Sequence, residues 1–273
     1  MDRRTAIRRV GGALALGGAA VLGYSGSGSS TPTVLVAGSL QSVADDVGDA
    51  AVEAHGSVAV RRLVDEGARD PDAMALADPR LFAGLATPRL FATNALVVAY
   101  DPDSPHADAI ERDWQAALRR DLLVGRTDPA NDPLGYRTVM ALRLAGAADA
   151  LDDVDLFPET RLLQSLEAGA IDAAFAYRNM AVEHDVPYAS LPDRIDFSNP
   201  QFADRYASVS VELPDRTVRG APIRYGAAAL TDAGKPWIDR LVEGHERLQA
   251  AGFGVPDGYP VRATVAGAAS TTD

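Results

Sequence analysis

The sequence predicts an α/β fold of largely parallel, doubly wound sheets. Short β-branched and apolar runs alternate with helix-length stretches along almost the whole chain. Gly and Pro punctuate the joins between them. The hydrophobic share of 47% in 273 residues suffices for one large domain or two medium lobes with a real core.

The elements follow in order. Residues 33–37 (Thr-Val-Leu-Val-Ala) read as a buried strand, ended by Gly38-Ser39. Residues 40–52 read as a helix. After His55-Gly56-Ser57 a second helix covers 58–66, with Gly67 past its end. A short strand is expected at 72–76 and a longer one at 91–100, stopped by Asp101-Pro102-Asp103. Residues 114–120 read as helix, 122–125 as strand and 134–145 as helix. Pro158-Glu159-Thr160 opens a further helix that ends at Gly169. Strands at 171–177, 207–213 and 223–230 precede a closing amphipathic helix over 237–250.

The first thirty residues read as an address. Arg3-Arg4-Thr5-Ala6-Ile7-Arg8 resembles a twin-arginine export motif, and the charge-free run from Gly11 to Leu22 is short for a membrane span. A basic cytoplasmic tail before a membrane helix is the other reading. Tyr24 stands where a lipid-anchoring cysteine would sit. The expectation is an exported, extracytoplasmic protein, either released or held at the membrane by an uncleaved leader, but not lipidated on cysteine. Residues 25–33, rich in Ser and Gly, read as a tether.

Composition narrows the chemistry. Thirty-eight acidic residues against 26 basic ones give a formal charge of −12, and Lys235 is the one lysine. A chain with no basic stripe is not built for nucleic acid. The acidic residues are spread along the chain, which fits a surface solvated in concentrated salt. With no cysteine, disulfides, thiol catalysis and cysteine-ligated metal are excluded. The four histidines (His55, His106, His184, His245) are scattered and form no metal-binding motif.

One local device recurs. Gly38-Ser39 and Gly56-Ser57 each sit at a helix start, as do Asp132-Pro133 and Glu159-Thr160. A helix start offers free N–H groups and partial positive charge, glycine admits a ligand to the backbone, and serine adds a hydroxyl. Such a site can hold an anion without a cationic side chain. Taken singly, each is an ordinary helix cap. Two Gly-Ser copies at one sheet's carboxyl edge are more informative, because open α/β sheets bind ligands there.

Several stretches resemble the archaeal-type molybdate- and tungstate-binding proteins of ABC importers. They are Val34-Leu35-Val36-Ala37-Gly38-Ser39-Leu40, His55-Gly56-Ser57-Val58-Ala59 and residues 90–100. Others are Gly125-Arg126-Thr127-Asp128-Pro129 with Asp132-Pro133-Leu134-Gly135-Tyr136-Arg137-Thr138, and Phe175-Ala176-Tyr177-Arg178-Asn179-Met180-Ala181-Val182. The resemblance runs from about residue 34 to 260. It implies a two-lobed periplasmic-binding-protein (type II) fold with two crossing hinge strands. Residues 33–94 plus 223–262 would form lobe 1 and residues 95–222 lobe 2.

By the same resemblance Ser39 and Ser57 would donate to the anion from lobe 1. Asp132, Leu134 at the helix start, Thr160 and Tyr177 would face them from lobe 2, with Asp132 a ligand to the molybdenum or tungsten. Ala176 occupies a position where the family has a second carboxylate, and the segment between Ser39 and Ser57 is short. The implied function is capture of molybdate or tungstate by cleft closure, for a membrane permease. The ligand is a small oxyanion, no further cofactor is expected, and the protein is expected to be a monomer and not an enzyme. The alternatives are binding of sulfate, phosphate or another oxyanion, and an exported hydrolase using Ser39 or Ser57 with His55 and Asp132.

Overall fold

A computed structural model describes residues 31–120, 122–151 and 154–263. The export leader expected over residues 1–30 lies outside the described residues. Thirteen strands are described: β1 (Thr33–Ala37), β2 (Ala51–His55), β3 (Ala73–Leu76), β4 (Arg89–Thr93), β5 (Leu96–Tyr100), β6 (Val124–Thr127), β7 (Val154–Phe157), β8 (Ala173–Tyr177), β9 (Tyr188–Ser190), β10 (Ser210–Glu212), β11 (Thr217–Arg219), β12 (Arg224–Ala229) and β13 (Val261–Arg262). The described helices are α1 (Gln41–Val47), α2 (Ser57–Asp65), α3 (Ala107–Arg112), α4 (Trp114–Ala117), α5 (Pro133–Ala145), α6 (Leu162–Glu167), α7 (Arg178–Glu183), α8 (Ala203–Tyr206), α9 (Lys235–Val242) and α10 (His245–Ala250). None is long and apolar enough to cross a membrane.

The strands form two principal sheets. The first has the order β13-β4-β12-β3-β1-β2 and the second β7-β6-β8-β5-β9, with β10 and β11 a separate hairpin. Each principal sheet has a parallel heart, β2-β1-β3 in one and β7-β6-β8 in the other. The flanking strands β12, β4, β13, β5 and β9 run antiparallel. The inner parallel strands β1 and β3 are apolar runs, with residues 34–37 and 73–76 all buried, whereas the edge strands β2 and β7 carry Glu53 and Asp155 and are only partly buried.

The expected strand over 91–100 is two strands, one in each sheet. Asn94 interrupts it: its side chain accepts a hydrogen bond from the Ala95 N–H at 2.9 Å, and the chain crosses from the first sheet to the second. The return crossing lies between β11 and β12. Other differences have local causes. The helix expected over 40–52 stops at Val47, where Gly48 and Asp49 turn to φ 68° and 51°, and the chain re-enters the first sheet as β2. The closing helix is broken by Gly244 into α9 and α10. In α9 the apolar positions Trp237, Ile238, Leu241 and Val242 form one buried stripe.

α5 shows how local sequence sets an element that carries function. Asp132 caps it by accepting from the Leu134 N–H at 2.6 Å, Pro133 occupies the first turn, and Gly146 ends it in the left-handed region at φ 69°. Ten successive residues of α5, Pro133 to Leu142, are buried. The helix is therefore packed on all sides and fixes whatever polar groups it carries.

Candidate functional site

The ends of two pairs of adjacent parallel strands meet between the sheets. In the first sheet Ala37 of β1 is in register with His55 of β2, so Gly38-Ser39 and Gly56-Ser57 leave the same edge side by side. In the second sheet Thr127 of β6 is in register with Phe157 of β7. Asp132 and Glu159 follow those two ends.

The two edges oppose each other pair by pair. The Gly38 N–H donates to Glu159 Oε2 at 2.9 Å, and a Cβ at residue 38 would lie 2.8 Å from that oxygen. A Cβ at residue 56 would lie 2.5 Å from the Asn131 carbonyl oxygen and 2.8 Å from Asp132 Oδ2. Glycine is required at both positions by close approach, since neither has a positive φ.

Ser39, Ser57, Asp132, Leu134 and Tyr177 are all buried around this junction. Ser39 Oγ is 3.0 Å from the Tyr225 hydroxyl, and Ser57 Oγ accepts from the Ala77 N–H at 3.0 Å. Leu134 contributes its N–H, which is engaged by the Asp132 cap. Tyr177, at the end of β8, accepts from Arg137 at 2.5 Å and meets the Tyr225 ring edge-on with centroids 6.2 Å apart. Thr160 differs from the rest. It is half-buried on the flank, beside a groove lined by Gln41, Ser42 and Gln164, while its neighbour Glu159 is the buried one. Ala176 is fully buried and brings no oxygen to the site.

The structure adds five residues that the sequence reading did not name as ligands. Arg137 is only 2% exposed and donates to both the Tyr177 hydroxyl and the Ala77 carbonyl, at 2.5 and 3.0 Å. The site is thus not free of cationic side chains, as the helix-start argument alone expected. Asp78 is an anchor behind it, 3.8 Å from Arg137 and bonded to Tyr136 and Arg80. Burial pushes the Asp78 carboxyl up, but Arg80 and then Arg137 outweigh this and hold it well below the usual carboxylate range. Asn179 donates to the Ser39 carbonyl at 2.7 Å and accepts from Asn94 at 2.7 Å, tying α7 to the crossing and to the first sheet. Tyr225, on β12, completes the junction.

Glu159 is the fifth. Its Oε1 and Asp132 Oδ2 are both buried and neither accepts a well-formed bond from an N–H or hydroxyl donor, which leaves a proton shared between the two carboxyls as the bond open to them. Burial raises the Asp132 carboxyl above its ordinary range, opposed by hydrogen bonding from Glu159 and the Leu134 N–H and by Arg137. Burial, then the charge of Asp132, push Glu159 well above the carboxylate range.

The arrangement suits an oxyanion better than an acid–base reaction. The only candidate base by sequence, His55, is turned to Glu53 at 2.8 Å with a side chain 39% exposed, and Ser57 Oγ is engaged by a backbone amide. Among the described residues no group of three or more His, Asp and Glu side chains is placed to hold a metal ion.

Comparison with known proteins agrees with this architecture. Residues 33–254 match the family described as bacterial extracellular solute-binding protein. A relative from Haloferax volcanii, named as an ABC transporter molybdenum-binding protein, is 47% identical over 96% of this chain and 93% of its own. A molybdate/tungstate-binding protein from Thermococcus kodakarensis is 30% identical over 66% of this chain and 63% of its own. In structure, the periplasmic molybdate-binding protein of Azotobacter vinelandii matches with a TM-score of 0.61, covering 82% of this chain and 99% of the other at 13% identity. The chain therefore belongs to the extracellular solute-binding protein family, with the two-lobed type II fold in which two strands cross between lobes.

Proposed function

We propose that this protein captures molybdate or tungstate outside the cytoplasm and passes it to the membrane permease of an ABC importer. The observation that carries the reading is Asp132. It is a helix cap whose second oxygen is buried and directed to the junction where Gly56 and Ser57 arrive from the other sheet, with only the Glu159 carboxyl and the Ser57 amide to engage it. A carboxylate there repels sulfate or phosphate, whose centres do not add ligands, whereas molybdenum and tungsten accept further oxygens. The names of the relatives from Haloferax and Thermococcus support the same ligand class.

Ser39, Ser57, the amides at residues 38 and 57 and the Leu134 N–H would bind the anion's oxygens, with Tyr177 and Arg137 behind them. Thr160 would contribute from the rim. The two sheets with their helices serve as the lobes, residues 33–94 plus 223–262 against 95–222. Rotation about Asn94-Ala95 and the segment before β12 would open and close the cleft. The protein acts as an exported monomer, without a resident cofactor and without turning its ligand over. His55 and Ser57, the pair a hydrolase would use, have other partners.

Calorimetry on protein lacking residues 1–30 tests this. Tight binding of molybdate and tungstate with sulfate and phosphate far weaker is the expected outcome. Equal binding of all four anions, or none, would overturn it.

A further inference from the structure

We propose that Tyr225, oriented by Asn94, is a positioning residue that makes the Ser39 hydroxyl a dedicated donor toward the bound oxyanion. The inference rests on the oxyanion reading above and deepens it.

The direction of each hydrogen bond follows from its neighbour. Asn94, Tyr225 and Ser39 are 2%, 0% and 1% exposed, so their polar atoms must find partners within the protein. The Asn94 carbonyl oxygen accepts from the Ala95 N–H at 2.9 Å, which fixes the orientation of its amide. Its Nδ2 can only donate, and it does so to Asn179 Oδ1 at 2.7 Å and to the Tyr225 hydroxyl at 3.3 Å. Tyr225 Oη therefore accepts from Asn94, and its own proton needs an acceptor. Among the described residues Ser39 Oγ, 3.0 Å away, is the one within its reach. Ser39 Oγ accepts in turn and keeps a single proton to give. Burial and then the charge of Asp132 raise the Glu159 carboxyl, and the nearby Ser39 hydroxyl opposes them, so that proton faces the junction.

The arrangement is complete within one lobe. Asn94, Tyr225 and Ser39 all lie in residues 33–94 and 223–262, so the direction is set before the other lobe closes on an anion. Asn179 reaches across from the second sheet, but it holds the Ser39 carbonyl at 2.7 Å and not the hydroxyl. A donor oriented in advance loses little freedom when its ligand arrives. Asn94 thereby links the crossing between the sheets to the first serine of the site.

The competing role for Tyr225 is packing. Its ring meets Phe91, Tyr177 and Phe253 edge-on, with centroids 6.2, 6.2 and 5.1 Å apart. Tyr225→Phe keeps the ring and removes only the hydroxyl. A free hydroxyl rotor samples roughly three staggered wells, so Y225F should bind tungstate at least about threefold more weakly. Ser39→Ala removes a donor to a charged ligand and should weaken it by about tenfold or more. The double variant separates the two roles. If Tyr225 acts through the Ser39 hydroxyl, Y225F/S39A binds tungstate as S39A does, because no hydroxyl remains to be positioned.

Calorimetry on parent, Y225F, S39A and the double variant measures the four affinities, with thermal melts to verify folding. An equal loss from Y225F in both backgrounds would overturn the proposal and leave packing, and so would a Y225F protein that binds as the parent does. If Y225F fails to fold, neutron diffraction from the deuterated parent with tungstate reads the direction itself. The Tyr225 deuterium should point at Ser39 Oγ and an Asn94 amide deuterium at Tyr225 Oη; a Tyr225 deuterium on any other line would overturn the proposal. A parent that binds no tungstate at all would remove the oxyanion reading, and this proposal with it.

Discussion

Asp132 allows the ligand role and the cap role to be separated by two substitutions at one position. Asp132→Asn keeps an oxygen that accepts from the Leu134 N–H, now at 2.6 Å, so the cap survives. Asp132→Ala removes it, at a cost of about 1 kcal/mol, or roughly 2–4 °C in Tm for a domain of this size. Anion binding should respond to the charge. A carboxylate about 4 Å from an anion opposes it by on the order of 4 kcal/mol per unit of anion charge at an effective dielectric of about 20. Neighbouring Arg137 offsets part of this, and even a quarter of it is about 1 kcal/mol, near a fivefold change. Both substitutions should therefore tighten sulfate by about fivefold or more, while tungstate weakens because a ligand oxygen is lost. Calorimetry with both anions, paired with thermal melts, reads the two effects independently. If D132N binds both anions as the parent does and only D132A loses stability, Asp132 is a cap and nothing more.

Two further outcomes follow from the geometry. Gly56→Ala should leave the fold intact, because its φ of −57° suits alanine, but its Cβ would meet the Asn131 carbonyl at 2.5 Å. Tungstate affinity should drop by about tenfold or more with Tm almost unchanged, since the clash lies across the junction; a large loss of Tm with normal binding would contradict this. Glu183 is pushed up to about 7 by burial, with Asp46 adding to it and a hydrogen bond from Asn179 opposing. Its folded value exceeds its unfolded one, so the stability it favours is full at low pH and is lost as pH rises from about 4.5 through 7. Because the side chain is partly solvated, the swing is roughly 2 kcal/mol rather than the whole shift. Glu183→Gln should thus be more stable than the parent at pH 8 and close to it at pH 5, by denaturant titration; equal gains at both pH values would refute the assignment.

How far the sequence reached can be traced through these residues. Gly38-Ser39, Gly56-Ser57 and Asp132-Pro133 were legible because each is a local device, a turn and cap within three residues of a strand or helix end. The partners they meet were not, since pairing across two sheets depends on register that no local pattern encodes. Arg137 sits in a helix buried on nearly every side, where periodicity does not separate a packing position from a polar one. Glu159 and Thr160 are adjacent in a helix start, and only the bond to Gly38 shows which one turns inward. The strand over residues 91–100 read as continuous because its apolar run is continuous. One buried amide side chain, Asn94, decides that it serves two sheets. β2, Ala51–His55, carries a helix-compatible composition and becomes a strand because β1 offers it an edge.

The charge of the whole chain and the chemistry of the junction together constrain how an anion arrives. A net charge of −12 repels a dianion at long range, and Arg137 lies too deep to advertise itself to solvent. Capture must then depend on short-range donors that act only after encounter. The Debye length falls from about 10 Å at 0.1 M salt to about 3 Å at 1 M, which strips away most of the repulsion but leaves buried contacts untouched. The association rate of tungstate, followed by stopped-flow fluorescence, should therefore rise about threefold or more over that range while the dissociation rate hardly moves. Affinity would then improve with salt, opposite to a site built on an exposed basic patch. An association rate that falls with salt would mean that a positive surface steers the ligand in, and that the dipoles of Gly38, Ser39 and Ser57 are not its first point of capture.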